Sequence, residues 1–528
     1  MSTTTEQAGA DRDSADLARF GYKQELRRGL GTFSSFAVAF SYISPSTGIF
    51  TLYFLGLVTI GGAFIWTWPV VALGQFIIAL NFAEVSSHYP IAGSVFQWTK
   101  YLAGRTYAWF AGWIYLFAGI LTVTAVVATI PIALIPAING LPTLVGAKMW
   151  NLPSGLHALQ LVAVITLVVI LVLNIYGVRL VAIINNTGVI FEILGMFVFA
   201  LVLALFHNHQ GVHVITNTSG IHVSPAVFLG AMFMSLFVIY GFDTASTLSE
   251  ETRDPRRAAP KAVLFSIVGA FIIGGVFLLG TLMAIPNLSA AIKAGWGPVQ
   301  IIQANFSPAL STVYLLVVSA AIFVCCLSIL AATIRLCFGM ARDNQLPFSR
   351  SLSRVAPSLH TPVWACIAVA VLSAIPLIEY SGAGTIATAA TAMIYLSYFV
   401  GNLAILRARL KGWPKTDAPF KLRRWGLIVN VVGLIYGGAM IVNFAWPPAA
   451  GPSATGPRLV SNPRPNQTVL NGVQQLNFHW GFLNGIPILW TVFVVIALIG
   501  TIYYLLVGRT KQFPTVVAPA GDDAPLVT

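Results

Sequence analysis

Twelve apolar runs leave this chain little choice of fold. They lie at about 30–57, 62–86, 106–134, 157–176, 180–206, 225–249, 261–285, 309–339, 361–378, 384–406, 425–446 and 484–508. A helix needs about 20 apolar residues to cross the hydrocarbon core of a bilayer. Inside that core each backbone polar group must be satisfied within its own segment. The chain therefore reads as an all-α membrane protein with twelve transmembrane helices. Composition agrees: 57% of the 528 residues are hydrophobic and 9% are charged, against about 25% charged in soluble domains.

Lysine and arginine in the loops set the expected orientation. With the N-terminus in the cytoplasm, the inner segments hold 24 of these residues and the outer segments four (Lys148, Lys293, Arg458, Arg464), with Arg335 inside a span. Both termini are expected in the cytoplasm, which requires an even number of spans. The net charge of +13 then reflects basic loops beside an anionic leaflet rather than nucleic-acid binding. Residues 1–28 are polar, and the run after Gly29 has no cleavage pattern, so it reads as the first span and not as a signal peptide. Cys325, Cys326, Cys337 and Cys366 lie in apolar runs and read as reduced packing residues.

Two spans are interrupted. From Phe237 to Lys261 the chain reads FVIYGFDTASTLSEETRDPRRAAPK. A charged side chain at bilayer depth costs about 2.5–3.5 kcal/mol on insertion scales and marks a pathway or a pair. With Gly241 two residues before Asp243, the pattern is that of a discontinuous transporter helix. Span 1 carries ISPSTGI from Ile43 to Ile49. Pro45 lacks an N–H and Gly48 tolerates unusual backbone angles. The N–H groups of Ser46, Thr47 and Gly48, at the positive end of a half-helix, suit a carboxylate. Ser44, Ser46 and Thr47 add hydroxyls. A simple proline kink with the hydroxyls bonded back to the helix is the competing reading.

In span 6, carbonyls freed before Gly241 suit an ammonium group. Phe237 and Tyr240 either cover a substrate or pack between helices. Asp243 either caps the second half-helix or carries a proton. Span 5 contains Asn185, Asn186 and Glu192. Burial disfavours the charged form of a lone glutamate, so Glu192 is a proton-coupling candidate; the alternative is a neutral, hydrogen-bonded residue. Glu250 and Glu251, near Arg253, Arg256 and Arg257, suit an inner gate or surface ion pairs. Arg335 is expected to snorkel from the inner end of span 8. His207, His209, His213 and His222 share one outer loop without Cys or acid, which favours a solvated loop over a metal site. Asn217 and Asn466 begin outer glycosylation sequons.

Four motifs resemble the amino acid–polyamine–organocation superfamily of permeases. They are AEVSSHYPIAG from Ala83 to Gly93 with Trp98; YGFD from Tyr240 to Asp243 continuing to EETRDP and Pro260; MARDNQLP from Met340 to Pro347; and Gly177-Val-Arg179 with Asn185. The opening FGYKQELRRGLGTFSSFAVAFSYIS and the set Asn185, Asn186, Glu192 look closest to the amino acid/choline branch, which includes γ-aminobutyrate (GABA) and choline permeases. The resemblance implies a five-plus-five inverted repeat with discontinuous helices 1 and 6, plus two extra C-terminal helices. It implies a carboxylate cradle at Ser46, Thr47 and Gly48 and an aromatic gate at Phe237. Two departures stand out. Many relatives carry Gly-Ser-Gly where this chain has Ser46-Thr47-Gly48. Some place a lysine in span 5 in lieu of sodium, where this chain has Glu192. At the place in span 8 where sodium-coupled relatives hold the ion, this chain has Ser328 but no paired Ser or Thr, and the resemblance then favours proton coupling or exchange over sodium.

The expected organisation is a cytoplasmic tail (1–28), a first repeat (29–206), a second repeat (224–408), two further helices (424–508) and a cytoplasmic tail (509–528). The expected activity is secondary transport of an amino acid or GABA-like zwitterion across the plasma membrane by alternating access. The site residues would be Ser44, Ser46, Thr47, Gly48, Phe237, Tyr240, Gly241 and Asp243, with Glu192 for the proton. Partners would be a small amino acid or amine, a proton and membrane lipid, with no nucleic acid, metal or cofactor. A carrier of choline, ethanolamine or a polyamine is the alternative; a non-transporting nutrient receptor is the alternative of another class. An enzyme is not expected: no His-Glu-x-x-His pair or Gly-x-Ser-x-Gly elbow is present.

Overall fold

A computed structural model describes residues 13–26, 28–153, 155–176, 178–378, 383–445 and 488–511. The helices, in order, are α1 (Thr32–Ile43), α2 (Pro45–Ile60), α3 (Thr67–His88), α4 (Ser94–Ala103), α5 (Arg105–Gly140), α6 (Leu156–Ile175), α7 (Val178–Phe206), α8 (Pro225–Ala231), α9 (Phe233–Val238), α10 (Thr244–Thr247), α11 (Pro255–Met283), α12 (Leu288–Ala294), α13 (Pro298–Asn305), α14 (Pro308–Arg342), α15 (Ser349–Leu352), α16 (Val363–Ala374), α17 (Ala383–Leu410), α18 (Gly426–Ala445) and α19 (Ile488–Leu506). Short 3-10 turns link several of them, and no strand occurs among the described residues. Asn466, Gly177 and the side chain of Arg179 lie outside the described residues.

Among the described residues, eight helical stretches are long and apolar enough to cross a membrane, and Thr32–His88 is counted as one of them. Shorter apolar helices occur at Pro225–Val238, Val363–Leu377 and Thr491–Leu506. The long α5 forms the central post, packing most extensively against α14 and α17. The outer helices turn apolar faces outward, as a bilayer demands. On α7, Phe191 is 60% exposed, while the adjacent Glu192 is 2% exposed and faces the core. A polar residue turned inward and an apolar one outward is the arrangement lipid selects. All four cysteines are free and buried. No group of three or more potential metal ligands occurs among the described residues.

The local sequence explains where the helices stop. Ser44 adopts φ 36° and ends α1, and Pro45 opens α2, the position where a missing N–H costs nothing. Further along, α9 stops at Val238 and α10 starts only at Thr244, with Gly241 between them at φ 89°. The two interruptions foreseen in spans 1 and 6 are therefore both present. They also touch. A side chain on Gly48 would come within 2.4 Å of Val238, and one on Gly241 within 1.8 Å of the Tyr42 ring.

Candidate functional site at the two helix breaks

At the first break the half-helix start is already occupied. Oε1 of Glu192 accepts from the hydroxyls of Ser44 (2.7 Å) and Ser46 (2.6 Å) and from the Ser46 amide (3.3 Å). The Thr47 amide donates to the Ser44 hydroxyl at 3.4 Å. The Gly48 amide donates to the Ser44 carbonyl at 3.3 Å. The three N–H groups expected to meet a ligand thus each hold a partner within the protein, and for Ser46 that partner is a carboxylate. Asn185, also on α7, accepts from Ser328 of α14 at 3.0 Å. Its neighbour Asn186 donates to Ser34 of α1 at 3.0 Å.

At the second break a carboxylate again does the fastening. Asp243 accepts from Ser94 on α4 (2.7 Å), from Tyr398 on α17 (2.5 Å) and from the Tyr115 hydroxyl on α5. Asp243 stands at the cap position of α10, where its carbonyl accepts from the Ser246 and Thr247 amides, but its side chain makes no capping bond. The Gly241 amide donates to the Tyr398 hydroxyl at 2.8 Å. That diverts it from the carbonyl of Phe237, its helical partner. Phe237 and Tyr240 are buried, with rings edge to face at 6.0 Å. Tyr240 also meets Tyr42 at 6.2 Å, so its ring bridges the two breaks. Tyr395 packs against Phe444 and Tyr436.

Three ion pairs tie α14 and the residue after it to the turn after α10 and to α4. Glu250 meets Arg342 at 2.7 Å, Glu251 meets Arg335 at 2.6 Å, and Asp343 meets Lys100 at 2.7 Å. Arg335 is 2% exposed, which corrects the expected snorkelling. The partners of Glu250 and Glu251 come from α14, not from Arg253, Arg256 or Arg257. Tyr22 donates to Asp343 at 2.8 Å. Burial pushes its phenol well above the ordinary value, so it remains a donor. Burial pulls the Lys100 ammonium below its ordinary value, and Asp343 opposes that shift.

Residues 30–461 match the family model described as amino acid permease. The chain belongs to the amino acid permease family. Among its relatives is the amino-acid permease BAT1 of Arabidopsis thaliana, 26% identical, with the match covering 83% of this chain and 89% of that one. The GABA-specific permease of Saccharomyces cerevisiae is 25% identical over 69% of this chain and 65% of its own length. A putative amino acid/polyamine transporter of Macrophomina phaseolina is 28% identical over 72% and 87%. The crystal structure of MhsT with L-phenylalanine shares the fold, with a TM-score of 0.54 at 13% identity, covering 79% of this chain and 98% of MhsT. This permease is thus an integral membrane protein of a transporter family and not an enzyme.

All nine residues expected at the site lie at or beside the two breaks. Ser94 and Tyr115, which hold Asp243, are not among them. Ser94 follows directly on the AEVSSHYPIAG motif, which is a usable signal. Tyr115 sits in an apolar run with no local mark.

Proposed function

We propose that this permease carries an amino acid or GABA-like zwitterion across the plasma membrane by alternating access, coupled to a proton through Glu192. The observation that carries the reading is the pair of abutting helix breaks, each fastened by a buried carboxylate. Broken helices that meet inside a bundle leave backbone groups for a solute, and rocking of one helical unit against the other exposes them alternately. The carbonyl of Phe237, without its helical donor, suits the amine. Ser44, Ser46, Thr47 and Gly48 suit the carboxylate, with Phe237, Tyr240 and Gly241 beside it and Asp243 holding the second break.

The full architecture in this reading is twelve spans. Residues 29–206 and 224–408 form inverted repeats, 424–508 add two helices, and both tails are cytoplasmic. The ion pairs of Glu250, Glu251 and Asp343 then close the cytoplasmic side. Relatives named for GABA and for amino acids or polyamines support a solute bearing an amine. A second reading, a cation without a carboxylate such as choline, ethanolamine or a polyamine, is favoured by one observation: Glu192 already fills the first break. Uptake of radiolabelled leucine, GABA and choline into proteoliposomes, under separate pH and sodium gradients, tests both. Proton-driven uptake of leucine or GABA is expected. Uptake of none of the three would refute carriage, and uptake of choline alone would favour the second reading.

A further inference from the structure

Seven carboxylates are buried among the described residues: Asp13, Glu84, Glu192, Asp243, Glu250, Glu251 and Asp343. Five of them face a basic partner, respectively Arg28 for Asp13, Arg409 for Glu84, Arg342 for Glu250, Arg335 for Glu251 and Lys100 for Asp343. Glu192 and Asp243 face none among the described residues, and they are the two at the helix breaks. Their settings differ. Asp243 is held by hydroxyls from three separate helices. Glu192 is held only by groups of the break itself, all converging on Oε1. Those groups are the Ser44 and Ser46 hydroxyls and the Ser46 amide, the donors a bound carboxylate would require.

We propose that Glu192 is a resident occupant of the carboxylate cradle, and that a solute carboxylate takes its place only as Glu192 gains a proton. The inference rests on the permease reading above. Two ionised carboxylates cannot share donors at contact distance, and one of such a pair holds a proton. The proton comes from solvent and stays on Glu192. Once protonated, its carboxyl is a donor as well as an acceptor and can hydrogen-bond the incoming carboxylate. One proton therefore enters with each zwitterion, whereas an amine lacking a carboxylate needs none. The ionisable neighbours of Glu192 are Cys325 and Tyr314, both on α14. No charged side chain faces it from α1, α2, α6, α11 or α14 among the described residues.

The test is binding of labelled leucine, GABA and choline to purified wild-type, Glu192→Ala and Glu192→Gln protein, with thermal melting to verify folding. Wild-type affinity for leucine or GABA is expected to fall by about tenfold per pH unit from about pH 6 to about pH 8, the slope for uptake of one proton. Both variants should bind the same solute with no such slope. At about pH 8 they should bind it at least about tenfold more tightly than wild type does. Choline binding should not vary with pH. A pH-independent wild-type affinity for the carboxylate solutes overturns the proposal. So does a folded Glu192→Ala that gains no affinity for either at the higher pH, including the case in which only choline binds. Failure of the permease reading appears separately, as absence of uptake in proteoliposomes.

Discussion

Gly241 has φ 89°, and an added Cβ would lie 1.8 Å from the Tyr42 ring. Both the left-handed backbone and the close approach exclude any side chain there. Strain and overpacking cost about 1–3 kcal/mol each, so Gly241→Ala should lower the melting temperature of the purified protein and uptake together. An unchanged melting curve would count against this account of the break. Gly48 has a different constraint. Its backbone is ordinary, and the 2.4 Å approach to Val238 is what forbids a larger residue. Loss of binding in Gly48→Val would therefore report on packing between α2 and α9 as well as on the cradle. At this scale the sequence was readable where chemistry was locally odd. A proline, a glycine or an acid stands out in an apolar run. Tyr115 does not, because its role depends on Asp243, 128 residues away.

At the level of elements, the two broken helices are fastened to continuous ones by carboxylates. The Arg335–Glu251 pair fastens α14 to the turn after α10. Replacing one member of a buried pair leaves an uncompensated charge and costs about 3–5 kcal/mol, whereas replacing both with apolar residues is often neutral. Arg335→Met should thus be strongly destabilised in thermal melts. The double variant Arg335→Met with Glu251→Met should recover most of the loss. If the double variant melts no higher than the single, the pair is not the source of the stability. The interruption in each span was legible from Pro45 and from Gly241 with Asp243. The partners were not, since helix-to-helix register places Arg335 and Arg342 on Glu251 and Glu250, and local spacing says nothing about register.

For the whole molecule, the proposed orientation rests on charge. Each exposed basic loop resists transfer across the bilayer, and the excess on one side sets the topology. Lys293→Cys should react with a membrane-impermeant thiol reagent added to intact cells. Lys415→Cys should react only after the membrane is opened. The four native cysteines are buried and give a low background. The reverse labelling pattern would invert the proposed topology.

Membrane class, the positions of the breaks and the permease resemblance could all be read from the chain. Hydrophobic length, backbone-disrupting residues and loop charge act locally, and each leaves its mark in consecutive residues. The hold of Ser44 and Ser46 on Glu192 and the hydroxyl cage around Asp243 arise only when distant helices pack. Those contacts join residues 128 to 155 positions apart, and their geometry is set by how whole helices lie against one another.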